Sequence, residues 1–361
     1  MATTARSSLA AWGRAEQLAQ TAESARSHTC THTTERNVRH RWPLALIVDG
    51  ENSMAIPALV YVHGAGPQPP ASTLKRELDI VLFGAEQSPT RVARYAHVRW
   101  PTGPGGRGLA AGPAARRERA IRSVATAAVS PRDAARAIVA ATGRPTTGRG
   151  MAIAPAGRAP EPHADAVELV ERLYRRADRI AARSSRTTPD RTLGLSFPDP
   201  IFRIVVGRFA SDVIDYLYGR FAVQMREPVR EAIRMQPAPE VIVAHSLGTI
   251  VLYDVLNEPE FAELKPRLLL TAGSPLGIGN VQDKLRDRAG RPHPVPAAVE
   301  AWANFADRWD PVALEATLHD EFHPADFVRD ERVNNLARNN HDLTGYLSIP
   351  LVRTRILEIA S

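Results

Sequence analysis

Val241-Ile242-Val243-Ala244-His245-Ser246-Leu247-Gly248-Thr249-Ile250-Val251 is the stretch on which the reading of this chain turns. It opens as a buried strand over Glu240–Ala244 and closes as the start of an apolar helix over Thr249–Leu256. Between them, Ser246 has small residues two positions before it, Ala244, and two after it, Gly248. This is the G-x-S-x-G spacing of a strand–turn–helix elbow, with alanine in the first glycine position. So sharp a turn holds its serine in a strained backbone conformation. It also crowds the two flanking positions, where anything beyond a methyl would clash. The helix that follows aims N–H groups and the positive end of its dipole at the serine. Ser246 is therefore the candidate nucleophile. The plain alternative is a serine in an ordinary strand–helix turn.

Working outward, apolar runs and helical patterns alternate. Leu44–Val48 reads as a strand ending at Asp49-Gly50, and Ala58–Val62 as another ending at His63-Gly64-Ala65-Gly66-Pro67. Residues 72–84 have helical spacing with a glycine stop, and Arg94–Trp100 reads as a strand. Helices are expected over Asp165–Arg183, 209–219 and 222–234. Beyond the elbow, Arg267–Thr271, Ala301–Phe305 and Phe327–Val333 read as strands, and Leu343–Ile359 as a closing helix. Strands alternating with helices imply an α/β fold around a mostly parallel sheet.

Composition sets the outer bounds. The 361 residues are 44% hydrophobic and 24% charged, which excludes a collagen, a coiled coil or a wholly disordered chain. The single cysteine, Cys30, excludes an intramolecular disulfide framework. No run approaches the ~18 apolar residues of a membrane-spanning helix. Residues 1–40 are polar and Ser/Thr-rich and read as a flexible extension with a short helix near Leu9–Leu18. They lack the apolar stretch of a secretory signal, so a cytoplasmic protein is expected.

The net charge is +7, and residues 101–165 account for most of it, with ten arginines against Glu118, Asp133, Glu161 and Asp165. That segment also holds nine glycines and eight prolines, too many for a packed core of its own, although 114–142 has the composition of one or two Ala/Arg helices. The expectation is a mobile insertion or lid over 101–165 and a helical, cap-like region over 165–235, both within one domain over 41–361. The plainer reading of the arginine and alanine richness is a GC-rich genome, and no specific nucleic-acid partner is expected. Weak contact with an anionic surface through 101–165 is the partner reading left open.

Five motifs run in a fixed order from about residue 57 to 347: His63-Gly64-Ala65-Gly66, Ala244-His245-Ser246-Leu247-Gly248, Gly273-Ser274-Pro275-Leu276, Trp302-Ala303-Asn304-Phe305-Ala306-Asp307-Arg308-Trp309-Asp310-Pro311-Val312, and His341-Asp342-Leu343-Thr344-Gly345-Tyr346. In that order they resemble the α/β-hydrolase superfamily, and within it the lipase-like branch that includes GPI-inositol-deacylase-like serine esterases. Segment 101–165 lies outside the resemblance, and Ala244 departs from its glycine. The resemblance implies a lipase- or esterase-like serine hydrolase (EC 3.1) with a Ser–acid–His triad, acting on a small-molecule or lipid ester without cofactor or metal.

Within that frame the oxyanion hole needs two N–H donors. Leu247, after the nucleophile, is one candidate. The loop after the strand ending at Val62 supplies the other, Ala65 first and Gly64 second. For the acid, the strand ending near Phe305 is followed by Asp307 and Asp310, and the resemblance favours Asp310. For the base, His319, His323 and His341 follow Asp310. His319 and His323 have metal-like i, i+4 spacing but no third ligand at motif spacing, so no metal is expected. His341, on a polar loop that starts a helix, is where the family's base belongs. His245 reads as filling at the elbow, and Trp302 and Tyr346 as core. The expected reaction is cleavage of a carboxylic ester or thioester through an acyl-enzyme on Ser246. Its rivals are a catalytically silent binding scaffold and an acyltransferase.

Overall fold

The computed structural model describes residues 56–101, 112–142, 164–187, 200–219, 221–289, 293–335, 337 and 339–359. The expected extension over 1–40, its helix near Leu9–Leu18 and the strand Leu44–Val48 lie outside the described residues.

The strands are β1 (Leu59–Val62), β2 (Thr90–Ala93), β3 (Val241–His245), β4 (Leu268–Ala272), β5 (His293–Pro294), β6 (Trp302–Asp307), β7 (Phe322–His323) and β8 (Val328–Val333). Six of them form one sheet in the order β2-β1-β3-β4-β6-β8, with each neighbouring pair parallel. β5 and β7 form a separate two-stranded ribbon. The helices are α1 (Ala71–Phe83), α2 (Ala96–Arg99), α3 (Pro113–Thr126), α4 (Pro131–Thr142), α5 (Ala164–Thr187), α6 (Pro200–Leu217), α7 (Ala222–Arg234), α8 (Leu247–Leu256), α9 (Gly279–Ala289), α10 (Leu343–Leu347) and α11 (Pro350–Leu357).

A parallel sheet needs both faces covered, and the side-chain period of two divides its residues between two layers. Val60, Val62, Ile242, Ala244 and Leu269 share a core with α3–α8. Leu59, Tyr61, Val241, Val243, Leu268 and Leu270 share the other with α1, α10 and α11. The strand order reverses at β1, with β2 on one side and β3 on the other. Such a switch point leaves a crevice at the carboxyl ends of its strands, and ligands in open α/β sheets bind there. The loop after β1 starts at His63 and the turn after β3 holds Ser246, so both lie at the carboxyl ends of the strands on either side of that point.

Several expected elements take a different form. Arg94–Trp100 is not a strand: β2 ends at Ala93 and α2 follows. The closing helix divides into α10 and α11 at Pro350, whose ring cannot continue a helix but suits the first position of a new one. The expectation of an unpacked, mobile insertion fails over 113–142. Ala114, Ile121 and Ala125 of α3 and Ala134, Ala135, Ile138 and Val139 of α4 are buried in the core shared with α5 and α6. The segment builds no core of its own; it joins one. Small alanines let these helices pack closely, and arginines bond across them. Arg203 of α6, 3% exposed, donates to both carboxylate oxygens of Asp178 on α5 and to the Val129 carbonyl between α3 and α4.

If α3 and α4 belong to the cooperative core, Ile138→Ala should destabilise the whole protein by about 2–5 kcal/mol. Calorimetry should then show one unfolding transition at lower temperature. A main transition left in place would show that this layer unfolds by itself.

Candidate active site

The elbow has the strain its sequence implies. Ser246 sits at φ 55° and ψ −131°, between β3 and the first residue of α8, and its N–H donates to the Ala272 carbonyl of β4 at 3.1 Å. A side chain at Gly248 would strike the carbonyl oxygens of His63 and Val62 at the end of β1. Ala244 is fully buried, and its methyl is accommodated.

The fold brings His341 and Asp310 to this serine. His341 Nε2 lies 2.8 Å from Ser246 Oγ, and His341 Nδ1 lies 2.7 Å from Asp310 Oδ2. A carboxylate accepts, so Nδ1 carries the proton and Nε2 is left to accept from the Ser246 hydroxyl. Asp310 is held by three further donors. Tyr346 Oη–H reaches Oδ2 at 2.8 Å, and the N–H groups of Val312 and Ala313 reach Oδ1 at 2.8 and 3.1 Å. Burial pushes the Asp310 carboxyl up, but the His341 imidazole and these donors outweigh it and hold it below the ordinary carboxylate value. Arg176 on α5 donates to the backbone carbonyl of Asp310 at 2.9 Å and to that of Arg308 at 2.8 Å, fixing the loop that carries Asp310 from the helical layer.

Asp307, the second candidate acid, has another task. It accepts from the N–H of Trp309 and of Asn335 and from Asn340 Nδ2, and so ties β6 to the loop that presents His341. Burial raises its pKa despite these donors. Asn335 continues the tie by donating to the Asp342 carbonyl at 2.9 Å, and Asp342 caps α10 through the Thr344 N–H. Gly345 is needed here, because a Cβ on it would collide with Asn335 Oδ1.

The loop after β1 lies against the serine. A Cβ at Gly64 would stand 2.8 Å from the Ser246 Cβ. His63 Nε2 accepts from the N–H groups of Tyr95 and Ala96 at 3.1 and 3.2 Å, which leaves Nδ1–H to donate to the Gly64 carbonyl at 2.6 Å. Tyr95 Oη–H donates to the His63 carbonyl, and the Gly66 N–H donates to Asp212 on α6. Gly64 and Ala65 therefore lie on a loop pinned at both ends, facing the turn that carries Leu247.

Sequence reasoning missed several of these roles. Tyr346 is core, as expected, but its hydroxyl also bridges the Asp307 N–H and Asp310. His245 donates from Nε2 to the His341 carbonyl at 2.7 Å, so it positions His341 as well as filling the elbow. Gly273, at φ +57°, lies under the pair: a Cβ there would stand 2.7 Å from Asp310 Oδ2 and 3.0 Å from His341 Nδ1. The Gly273-Ser274-Pro275 motif was the sequence signal for it. Asp212 and Arg176 had none, because partners more than 100 residues away leave no local pattern. His319 lies apart, bonded to Asp330, and His323 is exposed on β7. A groove of about 620 Å³ beside α7, lined by His97, Val98, Pro228 and Met235 among others, includes none of the residues assembled around Ser246.

Burial lowers the pKa of His63 to about 4, and burial with the neighbouring His341 lowers that of His245. Both are neutral in the fold, whereas in the unfolded chain each would bind a proton near pH 6.5. The unfolded state then binds more protons, and stability falls as pH drops below that value. Urea denaturation at a series of pH values should show this loss starting near pH 6.5, with a slope of up to about 1.4 kcal/mol per pH unit per histidine. His63→Gln should make the slope between about pH 6 and 4.5 shallower; an unchanged slope would contradict a buried neutral His63.

No family model, no curated protein and no solved structure matches this chain.

Proposed function

We propose that this chain is a serine hydrolase of the α/β-hydrolase type that cleaves a carboxylic ester or thioester. One observation carries the reading: an unbroken chain of short contacts, Ser246 Oγ to His341 Nε2 at 2.8 Å and His341 Nδ1 to Asp310 Oδ2 at 2.7 Å, at the switch point of a parallel sheet.

Ser246 Oγ attacks the acyl carbon, and its proton passes to His341 Nε2. The carbonyl oxygen becomes an oxyanion, held by the Leu247 N–H at the start of α8 and by the Ala65 N–H, with Gly64 the second choice on that loop. Collapse breaks the bond to the alcohol or thiol, which leaves with the proton from His341. Water then attacks the acyl-enzyme and gives its proton to His341, which returns it to Ser246 as the acid departs. Throughout, Asp310 holds His341 in the Nδ1–H tautomer and stabilises the imidazolium. The buried, multiply bonded carboxylate supports this role, since it stays ionised beside the transient cation.

Ser246→Ala should lower p-nitrophenyl ester hydrolysis by roughly 10³-fold or more and abolish labelling by a fluorophosphonate probe. Retained hydrolysis in that variant would refute the assignment. A wild-type protein that takes no probe would be a silent scaffold, and preferential delivery of the acyl group to an added alcohol rather than to water would make it an acyltransferase.

Gly273→Ala tests the geometry independently. Its methyl would press on both Asp310 and His341 and would occupy a left-handed backbone position. The expected result is a fall in kcat of about 10²-fold, the scale of an ångström misplacement, with the protein still folded by circular dichroism. Wild-type kcat in a folded variant would mean that this contact does not set the triad.

A further inference from the structure

We propose that Asp212 is a positioning residue for the oxyanion hole: from α6 it anchors the last residue of the 63–66 loop and so sets the direction of the Ala65 and Gly64 N–H groups. This rests on the hydrolase reading above and deepens it, by giving the helical layer a part in catalysis.

The geometry is specific. Asp212 is 2% exposed, and its Oδ2 accepts from the Gly66 N–H at 2.8 Å and from Trp100 Nε1–H at 2.7 Å. Its Oδ1 faces Arg99 Nε at 3.8 Å. The indole and the guanidinium hold the carboxylate in place, and the carboxylate holds the loop. One turn earlier on the same helix face, the stem of Arg208 covers Gly66, with its Cδ 3.1 Å from where a Cβ would stand. The Arg208 guanidinium is itself fixed by Glu118 of α3, through bonds of 3.1 and 2.6 Å. At the loop's other end His63 is bonded to the Tyr95 and Ala96 N–H groups. Gly66 has φ +91°, a conformation open to glycine and therefore easily left without an anchor.

Stability alone does not account for this carboxylate. Its partners, two N–H donors and the Arg99 guanidinium, are those of an ionised carboxylate, and burial pushes its pKa up against them. Buried ion pairs are poor contributors to stability, yet this one spends its better oxygen on a loop N–H. A charged acceptor makes the stronger and more rigid bond. An oxyanion hole needs that rigidity, because its donors stabilise the transition state only when they are aimed in advance.

The experiment compares full-length wild type, Asp212→Asn and Asp212→Ala. It reads kcat and KM for a p-nitrophenyl ester, the rate of fluorophosphonate labelling of Ser246, and the folded fraction from thermal melts. Asp212→Ala should lose about 10–100-fold in kcat and labelling rate, with KM within about threefold, as expected for displaced rather than missing donors. Asp212→Asn keeps the shape and an acceptor oxygen, so it should fold and retain an intermediate rate, rescuing part of the loss. Wild-type kcat in either folded variant overturns the proposal, as does a loss that merely tracks the folded fraction. Should Asp212→Ala fail to fold, Asp212→Asn decides: a several-fold lower kcat at unchanged KM supports the role, and an unchanged kcat overturns it. A wild-type protein that takes no probe removes the hydrolase reading and this proposal with it. Labelled wild type with equally labelled variants removes this proposal alone.

Discussion

The Asp310 carboxylate accepts four hydrogen bonds, from His341, Tyr346, Val312 and Ala313, and the placing of His341 beside Ser246 depends on that arrangement. Four donors outweigh the penalty of burying the charge and keep the group ionised with no exposed surface. They also leave it one orientation. His341 therefore has one tautomer and one ring position, with Nε2 towards the serine. Tyr346 links this centre to the end of β6 through the Asp307 N–H, and Asp307 in turn grips the loop that delivers the histidine. Removing a member of the network would leave buried polar atoms unpaired, which makes the cluster cooperative and not a set of independent contacts.

Around this centre the backbone carries constraints that side chains cannot meet. Ser246 occupies a left-handed φ. Gly248 lets α8 pass against the end of β1, and Gly273 lets Asp310 and His341 approach β4. Each is a close approach of main chain to main chain, or of main chain to a functional group. The strained serine persists because the strand before it and the helix after it are both fully buried, so neither end of the turn can relax.

The helical layer is more than a cover. Arg176 of α5 bonds the loop that carries Asp310, and Asp212 of α6 bonds the loop after β1. Two helices from one layer thus hold loops on either side of β3, the strand that leads into the serine. Arg203 and Asp178 join those helices to each other. Part of the layer's positive charge is internal structure: Arg117 donates to the Arg99 carbonyl, and Arg122 and Arg208 share Glu118.

Ser246, Gly248 and the alternating strands and helices were legible in the amino-acid order because local rules govern them: a sharp turn admits only small flanking residues, and strands buried on both faces read as apolar runs. Asp310 and His341 were legible only as candidates among Asp307, His319 and His323, since spacing along the chain does not say which side chain meets the serine. The choice is made by tertiary structure, where β6, the loop after β8 and β3 converge at one end of the sheet. The bridging role of the Tyr346 hydroxyl, the roles of Asp212 and Arg176, and the packing of 113–142 were not legible at all. Their partners are distant in sequence, and a composition rich in alanine and arginine looks the same whether a helix is solvated or joins a shared core. Local sterics determined the turn; long-range hydrogen bonds between buried groups decided what stands around it.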